Sequence, residues 1–372
     1  MRVLHLFANH KWTGPAEPAL NLCLTLSHHG VETAFACAPG PGETAGAIVE
    51  KARDRGIEPL PGFHLSKHRQ LLKNFSDRRR LSNVLRDEHF EVVHCHMNND
   101  HRIASSVARS RGVPLVRSSY YGEGLSAGGG MKRLLSDTDF LIEPSAAALE
   151  RDVSTFGFDR ERMRVVPGAV DTARFDPARE VPDGRRRLNI PQDAFVIGIV
   201  ARMQRHRHFE DFWEAMRRLI KVDPSIHVIV IGRGTHQEAV GKAPVRAAGI
   251  EANVHFPGYL AGDEYVGMVK ALDVKVFLVP GSDGTCRAVR EALALGKPAV
   301  VADRGMLPEI VEHGSTGFVC DGSAESLVEW LGPLSRDRAQ VRGLGQAARA
   351  HAVREFSLDA QAQAVLKIYQ SL

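Results

Sequence analysis

Residues 274–301 read VKVFLVPGSDGTCRAVREALALGKPAVV, and this stretch decides the fold class. It predicts a buried strand over 274–278, a loop rich in Gly, Ser and Asp, and a helix over 287–295. A second strand is predicted over 299–301. Strand–helix–strand units of this kind build parallel sheets that are covered by helices. The stretch therefore predicts an α/β protein.

The same alternation of strands and helices runs through the rest of the chain. Further strands are predicted over residues 3–7, 31–37, 91–94, 114–116, 140–142, 163–166, 194–201, 226–231 and 254–256. The pattern pauses at the proline-rich residues 167–193, which we interpret as an interdomain linker. The predicted domains are therefore 1–175 and 176–354. A ligand is expected in the crevice between their sheets, at the carboxyl ends of the strands.

Composition excludes several classes of protein. The chain has 372 residues with 44% hydrophobic and 25% charged residues, which is typical of a soluble globular protein and not of a disordered or fibrous one. Its net charge of +4 is too small to indicate a nucleic-acid binder. The five cysteines are scattered, which argues against a disulfide framework or a zinc site. Without a signal-peptide pattern or an apolar run long enough to cross a membrane, a cytoplasmic protein is expected.

Two carboxylates mark the loop and helix of the stretch quoted first. Asp283 lies in the loop and Glu291 lies eight residues later on the helix. Carboxylates accept hydrogen bonds from sugar hydroxyls, and the backbone N–H groups at a helix start bind anions. This pattern predicts that one carboxylate holds a donor sugar, that the other holds a ribose, and that a diphosphate lies between them. The alternative is an ordinary capped helix with surface carboxylates.

A second candidate element follows the strand predicted at 194–201. Residues 202–207 read RMQRHR and place several cations at the start of a helix, where positive charge is unfavourable. Arg202 and Arg207 would bind the oxygens of a diphosphate bidentately. The pattern therefore favours a functional role over a basic helix start.

These motifs resemble those of the retaining glycosyltransferases of family 4. That resemblance implies the GT-B fold, in which two Rossmann-like doubly wound domains face a central cleft. Glu291 matches the ribose-binding Glu of the family, and Asp283 occupies the position of its first Glu. Arg202 matches the family's diphosphate-binding Arg, and Arg207 stands where its Lys is expected. The resemblance assigns these four residues to catalysis.

Weaker matches extend the resemblance over most of the chain. They are TGPAE (13–17), EVVHCH (91–96), VVPGAVDTARFDP (165–177), IGRG (231–234) and VHFPGYL (254–260). The donor-binding residues implied are Gly14, Gly232, Tyr259, Leu260, Gly284, Thr285, Cys286 and Arg287. Residues 355–372 are expected to form a helix that crosses back to the N-terminal domain.

The acceptor side departs from the family pattern. Many members carry a His after the strand that here leads into VRSSYYGEG (116–124), and this sequence has none there. The acceptor-side candidates are His96, Tyr120, Tyr121 and Glu123. His94 and His96 are expected on opposite faces of their strand, so that they would not chelate a metal together. The D-x-D at residues 137–139 is interpreted as a strand start and not as a metal site.

The resemblance implies transfer of a sugar from a nucleotide-diphosphate sugar, UDP- or GDP-linked, to a hydroxyl of a glycan or glycolipid. The expected products are cell-envelope polysaccharides or lipopolysaccharides, and neither a metal nor a cofactor is expected. Two alternatives stay open. One is a nucleotide-sugar epimerase of the same fold, and the other is a non-catalytic protein that binds a nucleotide or a carbohydrate.

The charge surplus lies in a single segment. Residues 64–90 contain seven Lys or Arg and three Asp or Glu, which accounts for the whole net charge of the chain. Apolar residues at helical spacing share this segment: Leu71, Leu72, Phe75, Leu81, Val84 and Leu85. The segment is either a core-packed helix with a solvated basic face or a surface that meets anionic lipid or an anionic acceptor. In the second case the protein is peripheral on the inner face of the cytoplasmic membrane.

Overall fold

The computed structural model describes residues 1–40, 47–128, 130–207, 209–279 and 286–372. These residues divide into two compact units. The first contains residues 1–169 and 358–372, and the second contains residues 170–279 and 286–357. Each unit is built on a six-stranded sheet whose neighbouring strands are parallel.

The first unit alternates strands with helices from its first residues. Its strands are β1 (Arg2–Phe7), β2 (Glu32–Cys37), β3 (Val92–Cys95), β4 (Leu115–Ser118), β5 (Phe140–Glu143) and β6 (Met163–Val165). Its helices before β6 are α1 (Ala16–His28), α2 (Ile48–Arg53), α3 (Leu71–Asp87), α4 (Asn98–Arg111), α5 (Met131–Ser136) and α6 (Ala146–Phe156). The strand order is β2-β1-β3-β4-β5-β6, so the winding reverses between β1 and β3. Ligands of such sheets bind outside the carboxyl ends of the strands at this reversal.

The second unit repeats the plan. Its strands are β7 (Phe195–Val200), β8 (Ile226–Ile231), β9 (Val254–Gly258), β10 (Val274–Phe277), β11 (Ala299–Ala302) and β12 (Gly317–Cys320). Its helices are α7 (Gly184–Arg187), α8 (Phe209–Val222), α9 (Ala243–Ala248), α10 (Gly262–Lys270), α11 (Arg287–Ala294), α12 (Leu307–Ile310), α13 (Ala324–Arg336) and α14 (Arg338–Phe356). The strand order β12-β11-β10-β7-β8-β9 is that of a Rossmann fold. Its winding reverses between β7 and β10.

The last helix, α15 (Leu358–Gln370), belongs to the first unit. Val365, Ile368 and Tyr369 of α15 are buried in one cluster with Leu22 and Leu26 of α1. The C-terminal residues therefore complete the core of the N-terminal unit. Among the described residues, no helix is long and apolar enough to span a bilayer.

The structure has a strand at each predicted position and adds β12, which the sequence analysis missed. The interpretation of residues 167–193 as a linker is wrong for most of their length. Val170, Phe175 and Ile190 are buried in a core cluster of the second unit. Prolines and charged residues mark the turns of this segment. The apolar residues between those turns are packed into the core.

Candidate functional site

Three loops of the second unit meet at the carboxyl ends of β7, β8 and β9. The amide of Gly232, after β8, donates to the carbonyl of Gly258 at 2.9 Å. A Cβ on Gly232 would lie 2.2 Å from the carbonyl oxygen of Ala201, and one on Gly234 would lie 2.2 Å from that of Met203. Only glycine allows this contact, so the loop after β8 packs directly against the loop that carries Arg202. The two glycines of the IGRG motif at residues 231–234 are therefore required by this close contact.

Arg207 is fixed where the winding of the second sheet reverses. It ends a 3₁₀ turn over Arg205–Arg207 and is 7% exposed. Its Nη1 donates to the carbonyl of Val279, just after β10, at 2.9 Å. The turn follows β7, so this hydrogen bond joins the ends of the two strands between which a ligand is expected. Arg202 is exposed on the same loop.

Glu291 lies on α11 and is held by two side chains. The Tyr265 hydroxyl donates to its Oε2 at 2.6 Å, and Arg287 Nε lies 3.4 Å from its Oε1. Glu291 is only 6% exposed, and a buried carboxylate is stable only when it is hydrogen-bonded or paired. Tyr265, on α10, packs edge-on against Phe175 with ring centroids 6.1 Å apart. The sequence analysis predicted Glu291 and missed Tyr265, because no local pattern links residues 26 positions apart.

A buried lysine lies near this carboxylate. Lys275 on β10 is fully buried, and its Nζ has no hydrogen-bond partner among the described residues. Burial lowers the pKa of Lys275 well below its ordinary value, and the charge of Glu291 partly opposes that shift. The sequence analysis treated Lys275 only as part of a strand.

Cys286 caps α11 in a conformation that favours glycine. Its φ is 50°, in the left-handed region, and its side chain is fully buried. A left-handed conformation at a helix cap favours glycine, because glycine has no Cβ. The predicted residues Asp283, Gly284 and Thr285 lie outside the described residues.

Tyr259 and Leu260 follow β9. The ring of Tyr259 is 65% exposed, and the guanidinium of Arg233 lies over it at 5.1 Å. Leu260 is half-buried. Arg233, which the sequence analysis did not single out, therefore joins the loop after β8 to the loop after β9. Gly14 belongs to the first unit and is exposed immediately before α1.

In the first unit, three histidines cluster at the carboxyl ends of β1 and β3. One ring nitrogen each of His5, His94 and His96 lies within 4.8 Å of the others. The prediction that His94 and His96 face opposite sides is wrong, since side chains two residues apart on a strand share a face. Their rings stack with centroids 4.4 Å apart.

Hydrogen bonds connect this cluster to neighbouring elements. His96 bonds to His5 at 3.0 Å and to the Tyr120 hydroxyl at 2.6 Å. His94 bonds to Ser118 at 2.7 Å and to Tyr369 of α15 at 2.5 Å. Both ring nitrogens of His94 and His96 are engaged, so these two side chains form a hydrogen-bond network, while Nε2 of His5 has no partner among the described residues.

Burial sets the protonation of the network. It lowers the pKa of His5 to about 3 and lowers the pKa values of His94 and His96 well below the usual range. It also raises the pKa of Tyr120. Buried His96 and half-buried Tyr120 are thus bonded to each other and fix the chain after β4. The other two acceptor-side candidates, Tyr121 and Glu123, are exposed.

A buried carboxyl pair lies beneath the same segment. Glu143 ends β5, Asp152 lies on α6, and both are fully buried. Asp152 accepts a hydrogen bond from the Leu125 amide at 2.8 Å. Burial, and then the charge of Asp152, raise the pKa of Glu143. The sequence analysis missed this pair, although a Glu at the end of a buried strand is an unusual signal.

The D-x-D at residues 137–139 has structural partners. Asp137 pairs with Arg109 at 2.5 Å, and Asp139 accepts a hydrogen bond from the Leu115 amide at 2.7 Å. Thr138 between them is buried and bonds to His101 at 2.7 Å. These contacts join α4, β4 and β5, in agreement with the interpretation of this motif as a strand start.

Comparisons with known proteins place the two units in one family. Residues 14–174 match the family model described as Glycosyltransferase Family 4, and residues 181–351 match the one described as Glycosyl transferases group 1. The chain belongs to glycosyltransferase family 4. Its two parallel sheets form the GT-B fold of that family.

Curated relatives are similar over part of their length. A D-inositol 3-phosphate glycosyltransferase of Corynebacterium jeikeium is 30% identical over 65% of this chain and 59% of the relative. A GDP-mannose-dependent monoacylated alpha-(1-6)-phosphatidylinositol monomannoside mannosyltransferase of Corynebacterium glutamicum is 26% identical over 65% of this chain and 64% of the relative. The match therefore spans less than two thirds of either relative.

Solved structures of the same fold match the whole chain. Anabaena Alr3699/HepE in complex with UDP has a TM-score of 0.80 at 18% identity, covering 100% of both chains. A glycosyltransferase from Rickettsia africae has a TM-score of 0.84 at 14% identity, covering 100% of this chain and 98% of the other. At these identities the similarity establishes the fold.

Proposed function

We propose that this family 4 member is a retaining glycosyltransferase. It moves a hexosyl unit from a nucleotide-diphosphate sugar, UDP- or GDP-linked, to a hydroxyl of a glycan or glycolipid acceptor. The observation that carries this proposal is the position of Glu291, which Tyr265 and Arg287 hold in the unit that also fixes Arg207 at the reversal of the sheet. Relatives named for GDP-mannose and a structural neighbour bound to UDP support such a donor.

In this proposal the second unit binds the donor. Arg202 and Arg207 hold the diphosphate and neutralise the charge that grows on it as it leaves. This is the task that a metal ion performs in other enzymes, so the proposed reaction needs no metal and no cofactor. Glu291 accepts hydrogen bonds from the ribose hydroxyls, and the loops at Gly232 and Tyr259 lie beside the base. Asp283, outside the described residues, is assigned to the donor sugar.

The proposed transfer is a substitution with retention. The bond between the anomeric carbon and the diphosphate oxygen breaks, and the acceptor oxygen bonds to that carbon on the same face. The acceptor proton passes to the departing phosphate. The chain contributes positioning and electrostatic stabilisation more than a nucleophile, which agrees with the network-bound state of His96 and Tyr120.

We further propose that the first unit meets an anionic membrane surface. The last turns of α3 are anchored by Leu81, Val84 and Leu85, which are buried. Its first turns expose three large apolar side chains: Leu71 at 69%, Leu72 at 87% and Phe75 at 68%. Exposed apolar groups flanked by cations are typical of surfaces that insert into the headgroup region of anionic bilayers. This supports a glycolipid acceptor of the cell envelope.

Product analysis tests the proposed activity. The full chain is first screened by thermal shift against UDP- and GDP-sugars, since a ligand of the native state raises its apparent stability. The selected sugar is then incubated with and without acceptor glycolipid extracts. We expect transfer that needs acceptor and that falls in Arg207→Ala. Conversion of the donor sugar alone would show an epimerase, and nucleotide binding without any turnover would show a binding protein.

A further inference from the structure

The first unit has a cavity of about 280 Å³ beside the exposed turns of α3. It is formed by the loop before α3, the start of α4 and the segment after β4. Its polar lining includes Lys67, His68, Arg69, Asn98, Arg102 and Tyr121. All of these side chains can donate hydrogen bonds. None of the described residues that line it is acidic.

The loop that carries three of these residues is rigidly held. The buried carboxylate of Asp77 accepts hydrogen bonds from the amides of His64 at 2.7 Å and Leu65 at 3.0 Å. Buried Asn99 donates to the carbonyl of Ser66 at 2.7 Å and pairs with Asn74 at 2.9 Å. These bonds tie the loop to both α3 and α4. The cavity is thus a built feature and not an accident of surface side chains.

The positive charge in the cavity is uncompensated. Lys67, Arg69 and Arg102 have no ion-pair partner among the residues that the structure describes. Like charges held together repel one another, and a bound anion relieves that repulsion. A phosphate offers about two negative charges and three acceptor oxygens, which suits two guanidiniums, an ammonium and a hydroxyl.

We infer that this cavity binds a phosphate group carried by the acceptor. The inference rests on the proposed function, in which the first unit serves the acceptor. It adds that the acceptor is an anion recognised by its phosphate through Lys67, Arg69 and Arg102. The phosphate comes either from a lipid headgroup, for which Leu71 and Leu72 lie just beyond Arg69 in the chain, or from a soluble sugar phosphate.

Calorimetric titration with inorganic phosphate tests the site in the full chain. Saturating UDP or GDP, whichever the thermal-shift screen selects, is present so that the proposed diphosphate site is occupied. We expect Arg102→Gln, and a Lys67→Gln/Arg69→Gln double variant, to weaken phosphate binding by about tenfold or more, as loss of charged hydrogen bonds implies. Arg79→Gln removes an exposed charge of α3 outside the cavity and should leave the affinity unchanged. Absence of binding by the wild type, or an equal loss in Arg79→Gln, overturns the inference.

Competition identifies the source of the phosphate. If phosphatidylinositol vesicles displace the bound phosphate and phosphatidylcholine vesicles do not, the cavity binds the phosphate of a lipid headgroup. Displacement by D-inositol 3-phosphate, but not by inositol, shows a soluble sugar phosphate. If neither competes, the cavity does not serve a phosphorylated acceptor. The affinity for the selected UDP or GDP is measured in every variant, so that failure to bind or use a nucleotide sugar rejects the proposed function independently of the phosphate result.

Discussion

The hydroxyl of Tyr265 lies 2.6 Å from Oε2 of Glu291, and it joins α10 to α11 at the proposed ribose site. Removing the hydroxyl in Tyr265→Phe leaves the ring against Phe175 and removes this hydrogen bond to Oε2. A hydrogen bond to a charged group contributes about 1.5–3 kcal/mol, so we expect the KM for the donor to rise roughly tenfold or more. The kcat should change less, because the ribose contact exists before and during transfer. Steady-state kinetics at saturating acceptor measures both. An unchanged KM would show that Tyr265 does not position Glu291.

Arg207 should contribute mainly to kcat. In Arg207→Gln the hydrogen bond to Val279 can persist through the amide, but the positive charge is lost. Loss of one group that stabilises transition-state charge typically costs about 10²-fold in rate, and we expect a loss of that order. The control is Arg205→Gln, which removes an exposed charge from the same turn. Equal effects of the two variants would contradict a specific role for Arg207.

Gly234 should tolerate no side chain. A Cβ there would lie 2.2 Å from the backbone oxygen of Met203, so Gly234→Ala must push the loop that carries Arg202. We expect a lower melting temperature and weaker donor binding. Gly343, on the exposed face of α14, has no atom within 4 Å of the corresponding Cβ. There Gly343→Ala should raise the free energy of unfolding by up to about 1 kcal/mol through helix propensity. A neutral Gly234→Ala would refute the steric argument.

The exposed turns of α3 give a membrane prediction. Leu72→Ser changes a side chain that is 87% exposed, so the melting temperature should stay constant. Binding to phosphatidylglycerol vesicles should fall, as measured by flotation, because less apolar surface inserts. Val222 of the second unit is 76% exposed and serves as the control in Val222→Ser. If both variants float like the wild type, α3 is not the membrane contact.

The buried carboxyl pair predicts a pH dependence of stability. Glu143 keeps its proton in the folded chain above its ordinary pKa of 4.5, so unfolding releases a proton in this range. The unfolded state then binds fewer protons, and the free energy of unfolding falls as pH rises from about 5 to about 8. In Glu143→Gln the side chain is neutral in both states, and we expect a shallower fall. Denaturant unfolding across this range measures the slope, and an identical slope in the variant would exclude the pair as its origin.

The sequence alone determined the two αβ halves and the motifs of the donor unit. Short apolar runs and amphipathic helices are local signals. Arg202, Arg207 and Glu291 are local signals too, since each belongs to a continuous stretch of sequence. The family resemblance followed from the same stretches. The sequence analysis missed the strand β12 because its four residues follow a turn and show little periodicity.

Only the tertiary structure decided which distant residues share a site. The contact of Glu291 with Tyr265 depends on the packing of two helices, α11 and α10. The contact of His5 with His96 depends on the pairing of the parallel strands β1 and β3, whatever their separation in sequence. Helical spacing grouped Leu72 with Leu81, yet one is exposed and the other buried. The periodicity of apolar residues predicts which side chains share one face of a helix. Whether those side chains are buried depends on how α3 packs against α4.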